Sequence, residues 1–260
     1  MHVRILGAHN LETHDTRHTC FLIDGVLGVD AGSTASALTA AEQHNLAAIL
    51  VTHAHYDHIR DLPTLGLVAL DDDRAMDVHG LAATLDSVHA HLMDGRIYPD
   101  FTRPVGGAPP ICSIHPHEVG ATFQVAGYDV GAVPAQHSIP AVGYIIRSPS
   151  GESVAYSGDT GGGLLPFFED AWQPRILFVE MTLPNRLEWR ARLSGHLTPA
   201  LLKAELDAAM ERRLSLPRIV AVHVGFSQRD EITRELAEVS QALGVEIVRG
   251  IEDMSFDVDP

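Results

Sequence analysis

The sequence predicts an α/β fold in which two β-sheets pack face to face and helices cover their outer faces. Three observations lead there. Strand-length apolar runs occur in clusters, interleaved with helical patterns. Hydrophobic residues fill 45% of the 260 positions, ample for a sizeable core. The residues with chemistry stand at the ends of the apolar runs, where sheets hand over to loops. No low-complexity linker or fixed-period repeat divides the chain, so one domain over 1–260 is the expectation.

The first element is Met1-His2-Val3-Arg4-Ile5-Leu6, which alternates as a strand over about 2–7 and lacks the long apolar core of a signal peptide. Strands follow at 19–24 and 26–30, then a helix opening at Ser33, whose hydroxyl suits an N-cap. The run Ala47-Ala48-Ile49-Leu50-Val51 reads as a buried strand over 47–51. Residues 59–70 read as helix, 75–79 as a short strand and 81–94 as an amphipathic helix. The stretch 96–120 is rich in Pro and Gly and reads as loop, with a strand starting inside it at 111–115. Further strands are predicted at 121–125, 128–133, 140–147 and 152–157. A strand at 175–180, a helix at 198–213, a strand at 218–223, a helix at 228–243 and a strand at 244–248 complete the chain. Thr198-Pro199 supplies the cap and first turn of the helix at 198.

Composition narrows the function. Eighteen Lys and Arg against 34 Asp and Glu give a formal charge of −16, whereas nucleic-acid proteins carry a basic footprint. No nucleic-acid polymer is expected as partner. A small anionic substrate stays compatible, because bound divalent metals dominate the local field of a site. Cys20 and Cys112 lie in apolar segments and form no CxxC, which predicts buried thiols. No stretch approaches a membrane span, so a soluble cytoplasmic protein without membrane contact is expected.

The most informative segment is His53-Ala54-His55-Tyr56-Asp57-His58, four metal-ligand side chains in six positions directly after a strand. Imidazole nitrogen with carboxylate oxygen suits zinc, iron or manganese. His53 and His55 project to one side of extended backbone, whereas Asp57 and His58 are consecutive and diverge, leaving them for a second ion. Further candidates end later strands: His137, then Asp159 in Ser157-Gly158-Asp159-Thr160, then His223. A single His or Asp at a strand end is more often a cap or turn residue, so the joint pattern carries the case. His14, His18, His89, His91, His115 and His117 have no partners at ligand spacing along the chain, and His89 and His91 read as part of a solvated helix face.

The ordered set Asp30, His53, His55, Asp57, His58, His137, Asp159 and His223 resembles the metallo-β-lactamase fold superfamily over nearly the whole chain. The resemblance implies an αββα sandwich of two mixed sheets with two divalent metals at one edge, zinc first and manganese or iron as alternatives. By motif position His53, His55 and His137 would hold one metal, Asp57, His58 and His223 the other, and Asp159 would bridge them. Asp30 would orient a ligand His. Gly195-His196-Leu197-Thr198-Pro199, the strand end Val179-Glu180-Met181-Thr182-Leu183-Pro184-Asn185 and Ile97-Tyr98-Pro99-Asp100 resemble segments of the class II cyclic nucleotide phosphodiesterases. The chain departs from that family at Tyr56, Leu183 and Tyr98, where the family carries Leu, an aromatic residue and Trp.

These resemblances imply a dinuclear-metal hydrolase of a small phosphodiester, a 3′,5′-cyclic nucleotide in the first instance, with His196, Asp57 and Glu180 as catalytic residues. His196 would protonate the leaving oxygen and Glu180 would orient it. The alternatives are a tRNase Z-like ribonuclease, a thioester or lactone hydrolase of the superfamily, and a non-hydrolytic diiron oxygen-binding protein. His137 to Tyr144, Glu180 and His196 also resemble tRNase Z, but that family inserts a tRNA-binding arm between His137 and Asp159, and 22 residues hold none. A homodimer is in keeping with such relatives, and the helix 81–94 with the loop 96–110 is a candidate cover for the site.

Overall fold

The computed structural model describes residues 1–104 and 107–259. Seven strands form the first sheet and seven the second, each mixing parallel and antiparallel pairs. The strands are β1 (His2–Gly7), β2 (Cys20–Ile23), β3 (Leu27–Val29), β4 (Ala48–Leu50), β5 (Met76–Leu81), β6 (Cys112–His117), β7 (Thr122–Val125), β8 (Tyr128–Pro134), β9 (Val142–Arg147), β10 (Ser153–Tyr156), β11 (Ile176–Glu180), β12 (Arg218–Val222), β13 (Ile247–Arg249) and β14 (Ser255–Asp257). The first sheet runs β14-β1-β2-β3-β4-β5-β6 and the second β13-β12-β11-β10-β9-β8-β7. The helices are α1 (Thr34–Ala37), α2 (Ala40–Asn45), α3 (Tyr56–Ile59), α4 (Leu62–Asp71), α5 (Ala82–His91), α6 (Leu165–Glu169), α7 (Glu188–Ser194), α8 (Pro199–Glu211) and α9 (Arg229–Leu243).

Three apolar layers explain the stacking. Phe21, Val29, Leu50, Tyr144, Tyr156 and Phe178 fill the space between the sheets. Leu62, Leu65, Val78 and Leu85 bury the outer face of the first sheet under α4 and α5. Leu177, Val179, Leu202, Leu206 and Leu236 do the same for the second sheet under α8 and α9. Strands buried on both faces read as continuous apolar runs, and β4, β10 and β11 do so.

The predicted elements match this architecture with adjustments. The helix expected over 59–70 is α4, which starts later, at Leu62, with Pro63 in its first turn. The strand expected at 111–115 extends to His117. The loop 96–120 is partly described; Val105 and Gly106 lie outside the described residues. Four elements were not expected: α3, which forms in the segment read as the loop after β4, and α6, α7 and β14. Each is short: α7 buries only Ala191, β14 only Phe256, and α6 places Phe167 and Phe168 in the core within five residues. Cys20 and Cys112 are buried free thiols, as expected.

Topology sets the site. β3, β4 and β5 are mutually parallel, and so are β10, β11, β12 and β13. The C-terminal ends of β3, β4, β10, β11 and β12 release Asp30, His53, Asp159, Thr182 and His223. The two sheets are joined here, since His9 bridges both His18 and Val224.

Candidate metal centre

The two halves of the candidate ligand segment differ in conformation. His53 and His55 precede α3 in extended backbone, with His55 at the helix N-cap. Asp57 and His58 lie inside α3 and so point in different directions. Gly32 packs against this turn; a Cβ there would come within 1.9 Å of the Asp57 carbonyl oxygen. Any side chain at 32 would displace α3.

The ring nitrogens of the first group converge. His53 Nε2 lies 3.0 Å from His55 Nδ1, and His137 Nε2 lies 3.1 Å from the same His55 nitrogen. Two donors on one metal with bonds of about 2.0–2.1 Å stand roughly 3.4 Å apart in a tetrahedral site. His137 donates its Nδ1–H to the Gly195 carbonyl at 2.9 Å, which leaves Nε2 with a lone pair facing the group. Gly195 adopts φ +71°, and a Cβ would meet the His137 Cα at 2.9 Å. Only glycine delivers that carbonyl so closely.

The second group lies beside the first. His223 Nε2 is 3.2 Å from Asp57 Oδ2, and His58 Nε2 is 3.6 Å from the same oxygen. Asp159 Oδ2 reaches both groups: 3.7 Å from His53, 3.5 Å from His58 and 3.4 Å from His223. Asp30 is fully buried and accepts from the Thr52 amide at 2.8 Å, the Thr52 hydroxyl and His58 Nδ1 at 2.7 Å. It thereby turns His58 Nε2 toward Asp159.

The electrostatics suit cation binding. Burial would lift the Asp159 carboxyl, but the imidazoles of His223 and His58 hold it well below the usual carboxylate range. Burial together with neighbouring imidazoles depresses His53 and His55, so both present neutral lone pairs. His58 Nε2 and Asp159 Oδ1 are buried and have no hydrogen-bond partner. Buried polar atoms of this kind are rare unless something binds them. The donor set of imidazoles and carboxylates fits divalent metals, in the groups His53/His55/His137/Asp159 and Asp57/His58/His223.

Glu180 is fully buried, not an exposed strand end. It accepts from the amides of Thr182 at 3.0 Å and Leu197 at 2.9 Å, from the Thr182 hydroxyl at 2.9 Å and from His196 Nδ1 at 2.9 Å. Burial opposes a charged His196, yet Glu180 lifts it to about 9. His196 stacks on His223 with ring centroids 5.6 Å apart and lines a cavity of about 390 Å³ with Asn10, Thr182, Arg190, Phe226 and Gln228. His196 also falls in a group with Asp159 and His223, but its Nδ1 is engaged by Glu180. A larger cavity of about 530 Å³, lined by Trp172, Arg175 and Arg218 among others, shares no residue with this centre.

Sequence reasoning missed Thr182 and His18. Thr182 Oγ1 donates to Glu180 and accepts from His223 Nδ1 at 2.8 Å, which leaves His223 Nε2 to face Asp57. Its place two residues after Glu180 at a strand end was the available signal. His18 is lowered by burial while Asp57 acts to raise it, and its Nδ1 is buried without a partner. Tyr98 is not brought to the centre; it packs in the outer core with its ring 5.9 Å from Phe101. α5 buries Leu85 and Val88 in that same layer.

The model for the β-lactamase superfamily domain matches residues 19–224. The chain belongs to that superfamily. A probable 3′,5′-cyclic-nucleotide phosphodiesterase of Yersinia pestis is 23% identical over 85% of this chain and 78% of its own length. A ribonuclease Z of Mycobacterium sp. (strain KMS) is 30% identical over 54% of this chain, and the match spans 51% of that protein. Unliganded yeast PDE1 superposes with a TM-score of 0.83 at 17% identity, covering 98% of both chains. The metallo-β-lactamase fold of the superfamily is thus the fold observed: two mixed sheets flanked by helices. Among the described residues no helix is long and apolar enough to cross a membrane.

Proposed function

We propose that this superfamily member is a dinuclear-metal hydrolase of a small phosphodiester, with a 3′,5′-cyclic nucleotide as the first candidate. The observation that carries the reading is the convergence of seven candidate ligand side chains, Asp159 among them, next to a His196 held by a buried Glu180. His53, His55 and His137 would hold one cation, Asp57, His58 and His223 the other, with Asp159 shared. Cations so placed would lower the pKa of a bound water and neutralise charge on the phosphoryl oxygens; zinc is the first choice, manganese and iron the alternatives.

The chain's own residues supply the rest. Glu180 takes the Nδ1–H of His196, a residue that lines the 390 Å³ cavity, which leaves Nε2 to protonate a departing alkoxide. That cavity falls within the range of small-ligand pockets, and Arg190 gives it a cationic wall suited to an anionic diester. Asp57, placed in the catalytic set by the sequence, is assigned here to holding metal.

A ribonuclease Z-like activity is the second reading, favoured by the 30% identity to the mycobacterial enzyme over half the chain. Against it stand the −16 charge and the hairpin β9–β10, which occupies most of the chain between His137 and Asp159. The test is a substrate panel on metal-quantified protein. Turnover of bis(p-nitrophenyl) phosphate and cyclic nucleotides should exceed that of nitrocefin, S-lactoylglutathione and tRNA precursors. A preference for either of the thioester or lactam substrates would move the chain to another branch, and a preference for precursor tRNA would select the second reading.

A further inference from the structure

We infer that the edge of the first sheet carries a separate cation site, built from Asp77 and His79 of β5 and His115 of β6, that takes a divalent transition metal of the zinc type. The parallel register sets His79 opposite His115, and alternation along the strands puts Asp77, His79, His115 and His117 on one face. That face turns toward the second sheet: the Phe123 ring of β7 lies 3.5 Å from the His117 ring and 5.6 Å from that of His79, nearly parallel to both. The intervening Met76, Val78 and Ile114 pack into the outer core instead.

One donor atom from each of Asp77, His79 and His115 lies within 4.8 Å of the other two, and His115 Nε2 stands 3.1 Å from Asp77 Oδ1. A second observation points to a ligand. His79 is 5% exposed, and its Nε2 is buried with no hydrogen-bond partner. Its Nδ1 is 2.9 Å from His117 Nε2. With the Nδ1–H donated to His117, the lone pair of His79 resides on the unpartnered Nε2. This is how proteins prepare a ligand imidazole: one nitrogen is fixed by a neighbour and the other is left for the metal. A hydrogen-bonded stack alone leaves that nitrogen unsatisfied, at a cost that native structures seldom accept.

Two imidazoles and one carboxylate select a zinc-type ion over calcium or magnesium, which favour oxygen donors. Three protein ligands leave a fourth position for water. The side chains of Asp77 and His115 are 48% and 42% exposed, so an ion enters directly from solvent. None of the three belongs to the centre around Asp159.

The experiment is a Zn²⁺ titration of the full chain against a chromophoric chelator, comparing wild type with Asp77→Asn/His115→Gln. The double variant should bind one equivalent fewer, whatever number the Asp159 centre holds. The single variant His115→Gln, changed only at a half-exposed position, should show the same loss and guards against misfolding of the double. His117→Ala should keep the equivalent but bind it roughly 10–100-fold more weakly. Equal stoichiometry in wild type and both Asp77/His115 variants overturns the site, and unchanged affinity in His117→Ala overturns the part given to His117.

Discussion

Replacing Asp30 by Asn tests the centre without touching a ligand. The carboxylate accepts three hydrogen bonds, from the Thr52 amide, the Thr52 hydroxyl and His58 Nδ1. An asparagine presents one oxygen and one NH₂ in the same space. If its oxygen stays with Thr52, the NH₂ opposes His58 Nδ1, and the imidazole must accept there and carry its proton on Nε2. That nitrogen now points an N–H, not a lone pair, toward Asp159 and can no longer hold a cation. Loss of such an orienting partner weakens metal binding by roughly 10–100-fold, or about 1.4–2.8 kcal/mol. Folding should also suffer, by about 1–3 kcal/mol, from the buried donor left unpaired. The two effects separate experimentally: thermal melts in excess EDTA report the second, and Zn²⁺ competition titration reports the first. An Asp30→Asn protein that melts lower in EDTA but binds Zn²⁺ with wild-type affinity would refute the role given to His58.

Three further outcomes are expected. His196→Ala should keep its metal while kcat on a cyclic nucleotide falls by roughly 10²–10⁴; the loss should be smaller on bis(p-nitrophenyl) phosphate, whose leaving group needs little protonation, and equal losses or lost metal would show another role. In the Asp77→Asn/His115→Gln background, elemental analysis after loading should give two metals per chain, and adding Asp159→Ala should remove at least one; a count that never exceeds one refutes a dinuclear centre. Glu252 accepts from His9 Nδ1 at 2.7 Å and the Arg17 amide at 3.0 Å; burial would raise it, but these bonds depress it from 4.5 to about 2. A depressed carboxyl stabilises above its unfolded value and loses that effect as pH falls through the folded one. Glu252→Gln should therefore lower stability near pH 7 by up to about 3 kcal/mol, with the deficit shrinking between pH 5 and pH 3; a deficit of constant size across that range, measured by thermal melts, would contradict the assignment.

Local pattern made the candidate ligand loop readable. His53 to His58 follow a strand closely enough that spacing alone separates the two projecting sets, and the folded chain keeps that separation at the start of α3. His137, Asp159 and His223 were legible because each ends an apolar run. What stayed hidden was set by contacts distant in sequence. Glu180 reads as an ordinary strand-end carboxylate until Leu197, 17 residues on, folds its amide over it. The partners of His79 stand 38 residues away from their β5 neighbours across α5, and only the parallel register of β5 and β6 reveals the pairing. α7 escaped because only Ala191 is buried, so no apolar stripe marks it, yet its C-terminal Gly195 fixes His137.

The candidate ligand set draws on both sheets. His53, His55, Asp57 and His58 follow β4 of the first, whereas His137, Asp159 and His223 follow β8, β10 and β12 of the second. Neither sheet can assemble the centre alone, and Asp159 meets His53 and His58 only when the apolar layer containing Phe21, Tyr156 and Phe178 has closed. The ring of Phe21 lies 4.9 Å from both Tyr156 and Phe178, so the contact that docks the sheets involves the strand leading to Asp159. Cations at this centre would bind the docked arrangement and not the separated one. They would therefore stabilise sheet packing by mass action, and mutations in that apolar layer should weaken metal affinity even though no candidate ligand is altered. On the proposed reading the same coupling bears on the −16 charge: cations at this edge, where both sheets contribute donors, would reverse the local field for an anionic diester.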